Sequence, residues 1–150
     1  MKINYLKKLL QDLILIIVSN GVLLNLLLSI KPKYVTEILN GSKLFEFRKS
    51  LYKREIDKIY IYSSSPQQKI VASFQVKNII NGDVDDVWNQ CKEYAGISHI
   101  NYKKYFINKE EAYAIEISNL CIFKEPVCPY HLGDNFKHPN LLNILRISLK

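Results

Sequence analysis

The sequence predicts an α+β domain built on a curved, mainly antiparallel sheet or small β-barrel with flanking helices. Strand patterns outnumber helix patterns, and their order runs β-α-β-β-β-α-α-β. No regular β-α alternation is present to build a doubly wound parallel sheet. Apolar residues make up 48% of the chain and charged residues 23%, the balance of a folded domain rather than a disordered one. A chain of 150 residues fits one domain plus a terminal extension, and buries enough surface to need no covalent staple.

The first element carries an ambiguity. Ile3, Leu6, Leu9, Leu10, Leu13, Ile16 and Ile17 recur at helical spacing, with Lys2, Lys7, Lys8 and Asp12 elsewhere on the wheel. This predicts an apolar helix within an N-terminal extension, residues 1–24, ended by the turn signal "SNG". Residues 13–30 carry no charge, and about 18 such residues is the lower limit for a membrane-spanning helix. An anchor at residues 9–30 is therefore the alternative, although "SNG" and Asn25 count against it.

The main domain is expected over residues 25–150. "LLNLLLSI" reads as a buried strand. "KPKYVTEILNG" follows as a helix, with Val35, Ile38 and Leu39 at apolar spacing, Pro32 near its start and Gly41 just past its end. "SKLFEFRK", "DKIYIYSSSP" and "KIVASFQVKNII" read as three strands, each closed by turn residues. Residues 83–106 read as helical, with acids in the first turn and Ser98 capping a second segment. "AYAIEISNLCIF" returns to strand, and Pro126 and Pro129 mark an extended exit.

The formal charge of +7 favours an anionic partner such as nucleic acid, a nucleotide or an acidic membrane. It is unevenly spread. From Lys31 to Lys58 there are eight basic residues (Lys31, Lys33, Lys43, Arg48, Lys49, Lys53, Arg54, Lys58) against four acids. Three cysteines, an odd number without framework spacing, fit a reducing compartment and predict a cytoplasmic protein. Cys128, His131 and His138 lie near one another, but no C-x-x-C or H-x-x-x-H pair is present, so neither metal nor cofactor is expected.

The charge concentrates in "NGSKLFEFRK", residues 40–49. On a strand alternate side chains share a face, so Phe45 and Phe47 point one way and Leu44, Glu46 and Arg48 the other. Lys43 stands at the strand entrance. One reading is a solvated ion pair worth about 0–1 kcal/mol. The other is a cleft in which Lys43 and Arg48 hold an anion or a carbonyl while Glu46 orients them or moves a proton. Desolvation would favour Lys43 as a base, and a neighbouring Glu would oppose it. Ser63 and Ser64 either donate to phosphate or form a polar turn. Tyr60 and Tyr62 share a face, either in the core or stacking bases, whereas Trp88 and Tyr94 read as helix packing.

"LLLSIKPKYVTEILNGSKLFEFRK", then "KIYIYSSSP", then "KEYAGIS", "YKKYF" and "EAYAIEI" together resemble the ASCH domain (activating signal cointegrator homology), in its short prokaryotic and phage-type form. The most specific element is G-x-K-x-x-E-x-R, carried by Gly41, Lys43, Glu46 and Arg48. The resemblance implies a PUA-like β-barrel with a cleft beside the first helix, lined by that motif, and an RNA-binding role. Some relatives are ribonucleases or amidohydrolases on acylated cytidine nucleosides. In those amidohydrolases the matched lysine works with a threonine, which falls at Glu46 here, and with a later glutamate, for which Glu93 is the nearest candidate. The absent threonine argues against acylcytidine hydrolysis by that route. The expected function is RNA binding through Lys31, Lys43, Glu46, Arg48, Ser63 and Ser64. The alternative is a hydrolase on nucleosides or RNA that uses Lys43 and Glu46 for proton transfer.

Overall fold

The computed structural model describes residues 14–17, 24–52 and 56–129. In chain order the elements are β1 (Ile14–Ile17), β2 (Leu24–Ile30), α1 (Pro32–Leu39), β3 (Phe45–Arg48), β4 (Ile56–Ser63) and β5 (Lys69–Asp83). α2 (Val84–Cys91), a 3-10 turn (Lys92–Tyr94), α3 (His99–Tyr105) and β6 (Glu111–Val127) follow. The sheet order is β1-β2-β4-β5-β6-β3. Among the described residues this is an open mixed sheet rather than the closed barrel that the resemblance implied. β2 and β4 run parallel, while β1–β2, β4–β5 and β3–β6 are antiparallel. A parallel pair cannot be joined by a hairpin, and the chain between β2 and β4 contains α1 and β3.

The chain divides into two compact units, which β5 and β6 both traverse. Among the described residues, the first comprises 14–17, 24–32, 56–74 and 120–129. Here β2 carries the unbroken apolar run Leu26–Leu28 rather than an alternating pattern, as burial on both faces requires. Leu26, Leu27, Leu28 and Ile30 are all buried, as are Ile59 and Ile61 of β4. Leu27, Tyr62 and Ile70 form a cluster to which half-buried Tyr60, Phe123 and Val127 add. Each fully buried aliphatic side chain contributes about 1.5–3 kcal/mol relative to exposure. Tyr60 and Tyr62 thus belong to packing.

Ile14–Ile17, the end of the expected N-terminal helix, form a strand that pairs with Leu24–Leu27. Three of these four residues are isoleucines, and β-branched side chains fit a pleated ladder better than a helix. The remainder of that helix, residues 1–13, lies outside the described residues, as does the C-terminal tail. A continuous anchoring helix over residues 9–30 is excluded by the two strands within it. Among the described residues no helix is long and apolar enough to cross a membrane.

The second unit comprises residues 33–53 and 75–119. Val35 and Ile38 are the buried face of α1. Gly41, at φ +85°, turns the chain out of the helix in a left-handed conformation that favours glycine. α2 is capped by Asp83, which accepts from Asp85 N, and α3 by Ser98, which accepts from Asn101 N at 3.2 Å. Phe47, Val87, Cys91, Ala95, Tyr102, Phe106 and Ala114 make the core. Fully buried Tyr102 meets Phe47 edge-on at 5.0 Å and donates its hydroxyl to the Val84 carbonyl at 2.8 Å. β3 is held against β6 with Glu46 opposite Ile115 and Arg48 opposite Tyr113.

Candidate functional site

Local chemistry sets the approach to Lys43. After Gly41 the Ser42 amide donates to Asn40 Oδ1 at 3.0 Å, and the Ser42 hydroxyl, with one proton to donate, lies within hydrogen-bond reach of the Asn40 side chain and of the Glu37 carboxylate and carbonyl. The Lys43 amide reaches back to the Glu37 carbonyl at 2.9 Å. These bonds satisfy groups that a helix end leaves open, and they fix the turn. Lys43 then bridges Ala95, while Leu44 N donates to the Tyr94 carbonyl at 2.9 Å and Ile117 N to the Leu44 carbonyl at 2.9 Å. The start of β3 is thereby clasped between the 92–96 segment and β6.

The side chains converge from there. The Lys43 ammonium donates to the Ala95 carbonyl at 3.0 Å, lies 3.7 Å from Glu46 Oε2, and stands 4.7 Å from the centre of the Phe47 ring. The Tyr34 ring lies 5.7 Å away. The other Glu46 oxygen pairs with the Arg48 guanidinium at 2.9 Å. The structure thus brings together the three side chains that the sequence pattern grouped, and it differs in one respect. The pattern left a solvated pair open as one reading, whereas Lys43, Glu46 and Arg48 are only 3%, 7% and 4% exposed.

Burying three charges carries a desolvation penalty of several kcal/mol per ion, which their mutual attraction offsets only in part. Two cations meet one carboxylate, that of Glu46. Burial pushes the Lys43 ammonium below its ordinary pKa, and the Arg48 charge pushes it further; Glu46 opposes both. A perturbed, desolvated lysine with a specific charge partner marks a candidate functional group. Cys91 lies in the same core, its thiol pushed up to about 11 by burial and by the Glu116 charge, so it stays protonated at neutral pH.

The remaining expected residues divide. Glu93 is exposed on the 3-10 turn beside Tyr94, and the carboxylate that meets Lys43 is that of Glu46. Lys31, Ser63 and Ser64 belong to the first unit. Lys31 is exposed, and the Ser64 amide donates to the Ile30 carbonyl at 2.9 Å. The Ser63 hydroxyl oxygen is buried, with no hydrogen-bond partner among the described residues. No group of three metal-ligating side chains occurs among the described residues, and His131 and His138 lie outside them. Tyr94 is half exposed rather than packed. Sequence reasoning missed Tyr34, Ala95 and Gly96. The glycine in "KEYAGIS" is the one signal the sequence offers, and it does not say what packs against it.

A model of the ASCH domain matches residues 28–120, the stretch that contains every element of this site. An ASCH domain-containing ribonuclease of Zymomonas mobilis is 27% identical over 126 residues, covering 79% of this chain and 82% of that protein. The crystal structure of ASCH from Zymomonas mobilis superposes with a TM-score of 0.72 at 25% identity, covering 81% of this chain and 87% of that one. The ATP synthase subunit alpha of Ureaplasma parvum is 28% identical over 102 residues, which span 67% of this chain but 13% of that protein. The match covers well over half of the sequence and the whole of the Lys43–Glu46–Arg48 cluster: this chain belongs to the ASCH domain family.

Proposed function

We propose that this protein binds RNA through the Lys43–Glu46–Arg48 cluster. The observation that carries the reading is the buried trio, two cations on one carboxylate, with the Lys43 ammonium held by the Ala95 carbonyl. A phosphate or base carbonyl oxygen reaching this trio would be met by charge-assisted hydrogen bonds in a poorly solvated place. Glu46 holds Arg48 in orientation and can accept from a base amine. The same reading takes residues 25–150 as a PUA-like domain that works in the cytoplasm after the 1–24 extension. It is tested by binding to a mixed single-stranded RNA pool, with Lys43→Ala and Arg48→Ala for comparison. Salt-insensitive or absent binding would overturn it.

A second reading is favoured by the Zymomonas relative, which is a ribonuclease. Lys43, with its lowered pKa, would take the proton of a ribose 2′-hydroxyl as that oxygen attacks the adjacent phosphorus. The bond to the 5′-oxygen then breaks, the proton passes to the leaving oxygen, and Arg48 stabilises the charge gathering on the phosphate. Glu46, or exposed Glu93, would serve the proton transfer. Cleavage of end-labelled RNA that Lys43→Ala and Glu46→Gln abolish supports this reading. Binding without any product removes it and leaves the first.

A further inference from the structure

We propose that Gly96 is a positioning residue for Lys43, setting where its ammonium stands. The inference rests on the RNA reading above only for its functional readout. Gly96 has φ +58°, a left-handed conformation that side chains disfavour. Space imposes a second and separate constraint. A β-carbon at position 96 would overlap Lys43 Cβ, come within 2.8 Å of its Cγ and stand 3.1 Å from its Cα.

Cα and Cβ move with the backbone, so no rotation of the lysine side chain relieves that overlap. The two chain segments would have to part. The contacts that join them are the Lys43–Ala95 bridge, the Leu44 N to Tyr94 carbonyl bond and the Lys43 ammonium to Ala95 carbonyl bond. All three fall within two residues of Gly96. The bare α-carbon is thus the floor on which the base of Lys43 lies, and it lets the ammonium reach the Ala95 carbonyl beside Glu46. Gly82 provides an internal comparison: its φ of +155° also disfavours a side chain, but a β-carbon there meets nothing within 4 Å.

The test is a titration of the Lys43 ε-carbon by NMR in the full chain, assigned by its loss in Lys43→Arg. Wild type, Gly96→Ala and Gly82→Ala are compared, with binding of a single-stranded RNA pool measured alongside. Wild type and Gly82→Ala should both titrate below the ordinary value of 10.5, whereas Gly96→Ala should move back toward it. RNA affinity should fall about tenfold in Gly96→Ala alone, the loss of one charged hydrogen bond. An unchanged Lys43 titration in Gly96→Ala would overturn the proposal. Absent RNA binding by wild type sinks the RNA reading alone, since the titration still decides on Gly96. If Gly96→Ala does not fold, the double variant Lys43→Gly/Gly96→Ala decides: recovery of the fold supports the overlap as the cause, and failure to recover overturns it.

Discussion

Arg48 and Glu46, two positions apart on β3, close a 2.9 Å ion pair that is almost wholly buried, and Lys43 approaches the free side of the same carboxylate. One acid therefore neutralises part of two cations. Glu46→Gln should remove the carboxylate that both buried cations meet and destabilise the protein by about 3–5 kcal/mol. The double variant Glu46→Gln/Lys43→Met restores the original net charge of the cluster and should recover part of that loss. Urea unfolding of the three proteins measures both effects.

The pH dependence has a definite sign. Lys43 loses its proton more readily in the folded protein than in the unfolded chain, chiefly because it is buried and secondarily because of Arg48. Between that lowered value and the ordinary 10.5, the unfolded state binds more protons, so this group's contribution to stability rises with pH. The contribution is fullest above 10.5 and falls away as the pH drops toward the folded value. Lys43→Met should remove that slope from unfolding curves taken across the alkaline range.

Much of this architecture was legible in sequence because the governing rules are local. The apolar run of β2, the spacing of Val35 and Ile38, the first-turn acids of α2, the cap Ser98 and the stop at Gly41 each follow from neighbours along the chain. β1 was misread because Leu13, Ile16 and Ile17 continue a helical spacing begun upstream, while pairing with β2 depends on residues further on. The trio Lys43, Glu46 and Arg48 was found by alternation and motif. Its burial was not, since alternation assigns a face without saying what covers it. Gly96 was beyond reach for the same reason: its partner, Lys43, lies more than fifty residues away.

The cysteines should differ in reactivity. Cys91 is buried and its thiol is pushed up to about 11, whereas Cys121 is exposed. Iodoacetamide at about pH 8, near an ordinary thiol's pKa, should label Cys121 in the native protein and reach Cys91 only on unfolding. Peptide mass spectrometry before and after denaturant reads this out.

Tyr102 anchors α3 to the start of α2 through its 2.8 Å bond to the Val84 carbonyl, and its burial keeps the phenol protonated well above the ordinary range. Tyr102→Phe retains the ring contacts and loses only this bond. The expected cost is about 1 kcal/mol by thermal or urea unfolding, with Lys43 chemistry unaffected.

RNA binding distinguishes a ligand site at the buried charge cluster from a structural ion pair. The most direct measurement is fluorescence anisotropy of a labelled single-stranded RNA pool, titrated at salt concentrations from about 50 to 200 mM. Wild type should bind with affinity that falls steeply as salt rises, and Arg48→Met should weaken binding by about 10- to 100-fold at fixed salt. Equal binding by wild type and Arg48→Met, with both proteins folded, would contradict the ligand-site reading.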